Sequence, residues 1–120
     1  MNRGRKITGG KYHKFRKSRL CDAHSQERIA TLGETKRKQV RIRAGHKKTI
    51  LLKTNIANIY SDKKAKKANI TNVIETPQNK FFARQNRLMK GAIIETTLGK
   101  ARITNRPSQE GQVNAVLIKE

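Results

Sequence analysis

The sequence predicts an all-β fold. It reads as a small six-stranded β-barrel, or a partly open sandwich, with one short helical segment and a basic N-terminal arm that is disordered on its own. Three observations predict it. From Lys36 onward, short runs rich in β-branched residues alternate with turn signals. The first twenty residues hold eight Lys and Arg and no Asp or Glu. Hydrophobic content is 34 % and aromatic content 4 % over 120 residues, with no Trp, which leaves room for one modest aliphatic core. Closing the sheet removes exposed strand edges that would invite aggregation.

The arm, residues 1–22, carries Arg3, Arg5, Lys6, Lys11, Lys14, Arg16, Lys17 and Arg19. Gly4, Gly9 and Gly10 interrupt it, and Tyr12, His13 and Phe15 interleave with the cations. It buries too little apolar surface to offset the entropy of ordering, and its charges repel one another. Such a segment orders only on a polyanion. Fully extended at about 3.3 Å per residue it reaches roughly 60–70 Å, farther than a small domain is wide. Residues 23–120 form the domain that carries it.

The elements follow in order. Residues 21–35 read as a linker with a short ordered piece, in which Ile29 and Leu32 are the first residues to meet a core and Gly33 marks a turn. In Lys36–Arg43, Val40 and Ile42 alternate with Arg41 and Arg43, the period of a half-buried strand with cations outside. Ala44-Gly45-His46 is a turn, and Lys48–Lys53 a second strand. Thr54–Ser61 fits a strand or a helical turn. Ser61–Lys67 reads as a solvated charged loop, and Ala68–Glu75 as a strand ending before Pro77. Residues 77–89 have no β-branched residue, so one or two helical turns start near Pro77. Phe81 or Phe82 would cap the core, and Arg84 and Arg87 would share a helical face at i, i+3. Ala92–Thr97, Lys100–Arg106 and Gln112–Ile118 are strands joined by the turns Leu98-Gly99 and Pro107–Gly111, which predicts an antiparallel meander.

Charge decides the function class. Twenty-nine Lys and Arg stand against eight Asp and Glu, a formal net charge of +21. Self-repulsion of that size opposes compaction unless the partner is strongly anionic. Nucleic acid comes first and an anionic membrane second. A membrane would also need an anchor, and the sequence has no long apolar run, no signal peptide and no basic amphipathic helix.

The arm cations neutralise phosphates while Tyr12, His13 and Phe15 stack on exposed bases, and Gly9-Gly10 lets the backbone pass close to a phosphate. In this reading the arm becomes ordered on RNA. A second cluster is Lys36, Arg37, Lys38, Arg41, Arg43, Lys47 and Lys48, with no acid from Lys36 to Lys48. His46 sits within it, and Arg84, Arg87 and Arg106 add cations farther on. No helix-turn-helix, zinc-finger spacing or aromatic ribonucleoprotein motif is present, so recognition rests on backbone and shape rather than on sequence. Cys21 is the only cysteine. Cys21 and His24 resemble half a zinc site, but structural sites pair two such halves, so neither metal nor cofactor is expected. The eight acids are scattered, no nucleophile stands beside a base, and no phosphate-binding loop occurs, so no catalysis and no small-molecule substrate are expected.

Four blocks resemble the S8e family of small-subunit ribosomal proteins. They are Thr8-Gly9-Gly10 with Lys11–Arg19, Thr31–Glu34 with Lys36-Arg37-Lys38, Lys90–Thr96, and Arg106–Gly111 with Val113-Asn114-Ala115. They run in order through nearly the whole chain, and the short length is similar to the archaeal form. The family often has Gly-Gly-Asn where this chain has Ala44-Gly45-His46, Ser where it has Asn105, and Gly where it has Ser108. The resemblance implies a β-barrel with a basic extension on small-subunit ribosomal RNA in the cytoplasm. It also implies neighbouring ribosomal proteins as partners, and no homo-oligomer. The runner-up is an architectural DNA-binding protein, which basic composition alone also fits.

Overall fold

The computed structural model describes residues 4–13, 16–17, 19–22, 27–61 and 64–118. After a short 3₁₀ turn at Leu20–Asp22, the strands are β1 (Thr31–Leu32), β2 (Lys36–Arg41), β3 (Lys47–Thr54), β4 (Ile56–Ser61), β5 (Lys64–Glu75), β6 (Ile93–Thr96), β7 (Gly99–Ile103) and β8 (Asn114–Leu117). Two one-turn helices interrupt them, α1 (Lys80–Arg84) and α2 (Pro107–Glu110).

The barrel expected from the sequence is present and closed. Its strands run β4-β5-β6-β7-β8, and β8 returns to pair with β4. Neighbours are antiparallel except at that seam, where Asn58, Ile59 and Tyr60 pair in parallel with Asn114, Ala115 and Val116. The meander β6-β7-β8 is antiparallel as expected. The barrel holds five strands rather than six, because β1, β3 and β2 form a separate three-stranded sheet.

The inward positions explain why so few strands close. Ala57 and Ile59, Ala68 and Ile70, Ala101 and Ile103, with Val73, Ile94 and Ala115, are all buried in one apolar cluster. Ala beside Ile fills a narrow, tapering interior that larger side chains would force open. The twelve-residue β5 bends around this interior. Its register with β6 shifts between Ile70 and Asn72 and again between Val73 and Glu75, so the inward phase slips from Ile70 to Val73.

The small sheet is held to the barrel from both sides. Leu51 of β3 and Ala30, just before β1, join the barrel cluster. Leu32 N donates to Asn86 O (3.1 Å), and Leu88 N to Ala30 O (2.8 Å). Helix α2 lies against β3. Gly111, its left-handed cap (φ +75°), leaves no room for a side chain, since a Cβ there would stand 2.8 Å from Thr49 Cγ2. Lys48 Nζ donates to Gln109 Oε1 on the same helix. Asn105 braces the loop by donating to Glu110 Oε2 (3.1 Å) and Gln112 O (2.8 Å) and accepting from Asn114 N (3.0 Å).

Several local expectations are corrected. Lys64–Lys67, read as loop, begins β5, because pairing of Ser61 with Lys64 and Ile59 with Lys66 extends the β4–β5 hairpin past the core. Thr54–Ser61 resolves as strand over Ile56–Ser61. The linker contains β1, which pairs in parallel with Lys53–Thr54. Ala30 and Leu32 meet the core, while Ile29 is exposed. Ile42 falls past the end of β2 and is exposed, leaving Val40 as that strand's half-buried residue. Helix α1 starts at Lys80, where the Asn79 side chain accepts from Phe81 N (2.9 Å), rather than at Pro77. Phe81 is 63 % exposed and does not cap the core; Ala83 packs there instead.

Candidate nucleic-acid interface

The arm has local structure of its own. Residues 5–11 make a small hairpin. Arg5 pairs with Lys11, Lys6 N donates to Gly10 O (2.9 Å), and Gly9 N donates to Lys6 O (2.9 Å). The Arg5 guanidinium donates to Gly9 O (3.0 Å), and the Lys6 ammonium lies 5.7 Å from the centre of the Tyr12 ring. Farther on, Arg16 grips Asp22 through two bonds of 2.6 and 3.0 Å, and Arg19 N donates to the same carboxylate (3.1 Å). These bonds, the Arg16 guanidinium first, hold the Asp22 pKa below its ordinary value. Among the described residues, the arm's hydrogen bonds stay within the arm. Arg5, Lys6, Gly9, Gly10, Lys11, Tyr12, His13, Arg16, Lys17 and Arg19 are all exposed. Arg3, Lys14 and Phe15 lie outside the described residues.

The second cluster sits on the free-standing sheet. Strand β2 is its edge, and five of its six residues are exposed. Side chains directly opposite across an antiparallel pair share a face. Arg37 is opposite Leu51, and Arg41 opposite Lys47, so Arg37, Arg41 and Lys47 stand on one face. Lys38 is opposite Ile50 and Val40 opposite Lys48, on the other. The cations expected on the outer face of a half-buried strand instead form a basic edge charged on both faces. Its cations also discourage strand-on-strand pairing. Arg43 and His46 occupy the turn that follows, where Ile42 N donates to His46 O (2.7 Å) and Ala44 and Gly45 both take positive φ (+59° and +76°). Among the described residues, none of Lys36, Arg37, Lys38, Arg41, Arg43 and Lys47 pairs with a carboxylate. Lys48 is half-buried and engaged by Gln109.

Arg84 and Arg87 do not share a helical face. Helix α1 ends at Arg84, and Asn86 (φ +50°) turns the chain back. Arg87 then lies 4.3 Å from the centre of the Phe82 ring, donates to Gln85 Oε1 (2.7 Å) and meets Glu27 at 3.7 Å, with its side chain 14 % exposed. Arg84 is exposed and sits over Phe81 (5.7 Å). Arg87 and Arg106 instead line one cleft of about 550 Å³, together with Arg28 and Lys90. Sequence reasoning missed Arg28 and Lys90. Arg28 follows Glu27 and Lys90 lies three residues after Arg87, so neither belongs to a dense run of charge, and only the fold brings Arg28 and Arg106 to the same cleft as Arg87 and Lys90.

Among the described residues, no group of three or more His, Cys, Asp or Glu is placed to hold a metal ion; His24 lies outside them. No helix there is long and apolar enough to cross a membrane. The arrangement offers two exposed cationic surfaces and a basic cleft, suited to extended phosphate backbones.

The family model for ribosomal protein S8e matches residues 1–118. Among curated relatives, the chain is 45 % identical over 121 residues to a protein of Methanococcus aeolicus named small ribosomal subunit protein eS8, covering 97 % of this chain and 93 % of the relative. A relative of the same name from Sulfurisphaera tokodaii is 45 % identical over 119 residues, with the same coverage. Another from Halorubrum lacusprofundi is 40 % identical over 114 residues, covering 95 % of this chain and 93 % of the relative. The likeness extends through the arm, the basic sheet and the barrel alike, and the chain belongs to the ribosomal protein S8e family.

Proposed function

We propose that this protein is a structural, non-catalytic constituent of the small ribosomal subunit in the cytoplasm, and that it binds and stabilises folded small-subunit ribosomal RNA. Residues 1–22 act as the threading arm and residues 23–120 as the docking domain. The observation that carries this reading is the pair of exposed cationic elements, arm and β2 edge, projecting from one small core. The family places the protein's relatives in the small subunit by name, and RNA is the polyanion there. Neighbouring ribosomal proteins complete its surroundings.

Binding should be dominated by counterion release. About ten neutralised phosphates make affinity fall by several orders of magnitude over a modest rise in salt. The test is binding of small-subunit ribosomal RNA across a salt series, with duplex DNA as competitor. The Arg37→Gln, Lys38→Gln, Arg41→Gln variant should lower the slope of log affinity on log salt by about 2–3 units. Equal binding of duplex DNA, or an unchanged slope, refutes this reading. Sedimentation with the small subunit through a high-salt gradient should hold for the intact chain.

A further inference from the structure

The outer wall of the barrel carries a surface that the arm and the basic sheet leave unused. Tyr60, on β4, points outward and is 51 % exposed. Its register neighbours are small, Ala65 on β5 and Val116 on β8, and both are exposed. The ring therefore stands on a low floor with a face open to solvent. Cations flank it. Arg102 is the register partner of Val116 on the far side of β8, two strands or about 10 Å from Tyr60. Lys67 sits opposite Asn58, one outward step or about 7 Å along β4. Across the floor of this surface the Asn58 amide donates to Asn114 (3.1 Å), fixing the parallel seam beneath it.

The charge of this wall is one-sided. On β4, β7, β8 and β5 from Lys64 to Ile74, the face that carries Tyr60 holds three cations, Lys67, Lys100 and Arg102, and no Asp or Glu; Lys64 and Lys66, opposite Ser61 and Ile59, lie on the other face. Asp62, in the turn between β4 and β5, lies outside the described residues. An exposed aromatic ring on a rigid sheet between cations and without acids matches the chemistry of an unpaired nucleotide: a planar base to stack and phosphates to neutralise. An acidic peptide would use the cations but not the open ring face. We propose that this wall of the barrel, centred on Tyr60 with Lys67 and Arg102, is a stacking platform for single-stranded RNA, distinct from the arm and the β2 edge. It rests on the RNA-binding reading above and adds to it a site for unpaired bases.

The composition supplies a direct reporter. The chain has no Trp and two Tyr, Tyr12 and Tyr60, so in the Tyr12→Phe variant all tyrosine emission comes from Tyr60. Titration of that full-length variant with a twelve-nucleotide oligouridylate carrying a 3′ fluorescein should quench the tyrosine emission as the anisotropy of the fluorescein rises. Tyr60→Ala should weaken binding of the same oligonucleotide by about five- to a hundredfold without changing the salt slope, and Tyr60→Phe should restore it. Lys67→Gln should instead reduce the slope. Tyr60 is exposed, so an unchanged urea midpoint in Tyr60→Ala confirms that the fold is intact.

Binding without quenching, together with wild-type affinity in Tyr60→Ala, overturns the platform and leaves the arm and β2 edge as the RNA surfaces. Oligouridylate that fails to bind while small-subunit ribosomal RNA binds also overturns the platform alone. Failure of both RNAs overturns the platform and the RNA reading together. A change of oligomeric state in Tyr60→Ala, read by sedimentation equilibrium of the free protein, would make this wall a contact between copies and refute the proposal.

Discussion

Gly111 links the basic sheet to the barrel, and replacing it measures that link. In Gly111→Ala two costs arise. The residue keeps φ +75°, a left-handed conformation that costs a non-glycine residue about 1–2 kcal/mol. The new Cβ also stands 2.8 Å from Thr49 Cγ2, 3.2 Å from Thr49 Cβ and 3.4 Å from Thr49 O. Rotation of the Thr49 side chain cannot relieve this, because the second and third contacts belong to its Cβ and its backbone. Overpacking of this kind costs about 1–3 kcal/mol. The sum is about 2–5 kcal/mol, a large share of the stability of a small domain. Gly45→Ala is the matched control. Its φ is +76°, and a Cβ there meets nothing within 4 Å, so it carries only the conformational cost of about 1–2 kcal/mol. Urea unfolding of the two variants therefore isolates the contact. At an m-value of roughly 1–3 kcal/mol/M, Gly111→Ala should unfold at a midpoint lower than Gly45→Ala by about 1 M. Coincident midpoints would mean that α2 does not seat on β3, and the account of how the basic edge is held would fail.

Other outcomes follow from the same geometry. Ala44 holds φ +59°, so Ala44→Gly should stabilise by about 0.5–1 kcal/mol in urea unfolding once the added freedom of the unfolded chain is subtracted. Ile94 is fully buried in the barrel, and Ile94→Ala should cost about 2–5 kcal/mol by the same measurement, whereas Glu95→Gln on the outer wall should stay within about 0.5 kcal/mol. Asp22 is held below its ordinary pKa of 3.8 by Arg16 and Arg19, so its contribution is complete above that value and fades as pH falls through the lowered pKa. Its carboxyl carbon should titrate in NMR with a midpoint below 3.8, and Arg16→Gln should move the midpoint upward.

The strands β6, β7 and β8 are legible in the sequence because each alternates inward and outward residues between turn residues, whereas Thr54–Ser61, whose apolar spacing fits a strand or a helical turn, is settled as β4 only by its pairing with β5 and β8. Residues 107–111 are legible as a change of direction, though their seat against Thr49 is not. The division into barrel and separate sheet depends on β1, a two-residue strand too short to show any period. Its place is set by pairing with Lys53–Thr54 and by the bonds of Leu32 to Asn86 and Leu88 to Ala30. The beginning of β5 misleads because Lys64–Lys67 reads as solvent-exposed charge, and it is; only the partner strand shows that it is also extended. For the candidate site, charge density marks the arm and the β2 edge directly. Arg87 shows the limit of that signal. Its cation is visible in the sequence, but Asn86 turns it onto Phe82 and toward Glu27, which no spacing rule reveals. Tyr60 shows the converse, since its outward direction depends on the register of β4 against both β5 and β8.

The parallel seam of the barrel bears on the order of events in synthesis and assembly. It joins Asn58 to Asn114 across 56 residues, whereas the hairpin in the arm closes within the first eleven. Loop closure over long separations is slow and comes late, and chains are made from the N-terminus. The hairpin of the arm can therefore close before the last strand exists to shut the barrel, so the two parts of the chain complete their pairing at opposite ends of synthesis.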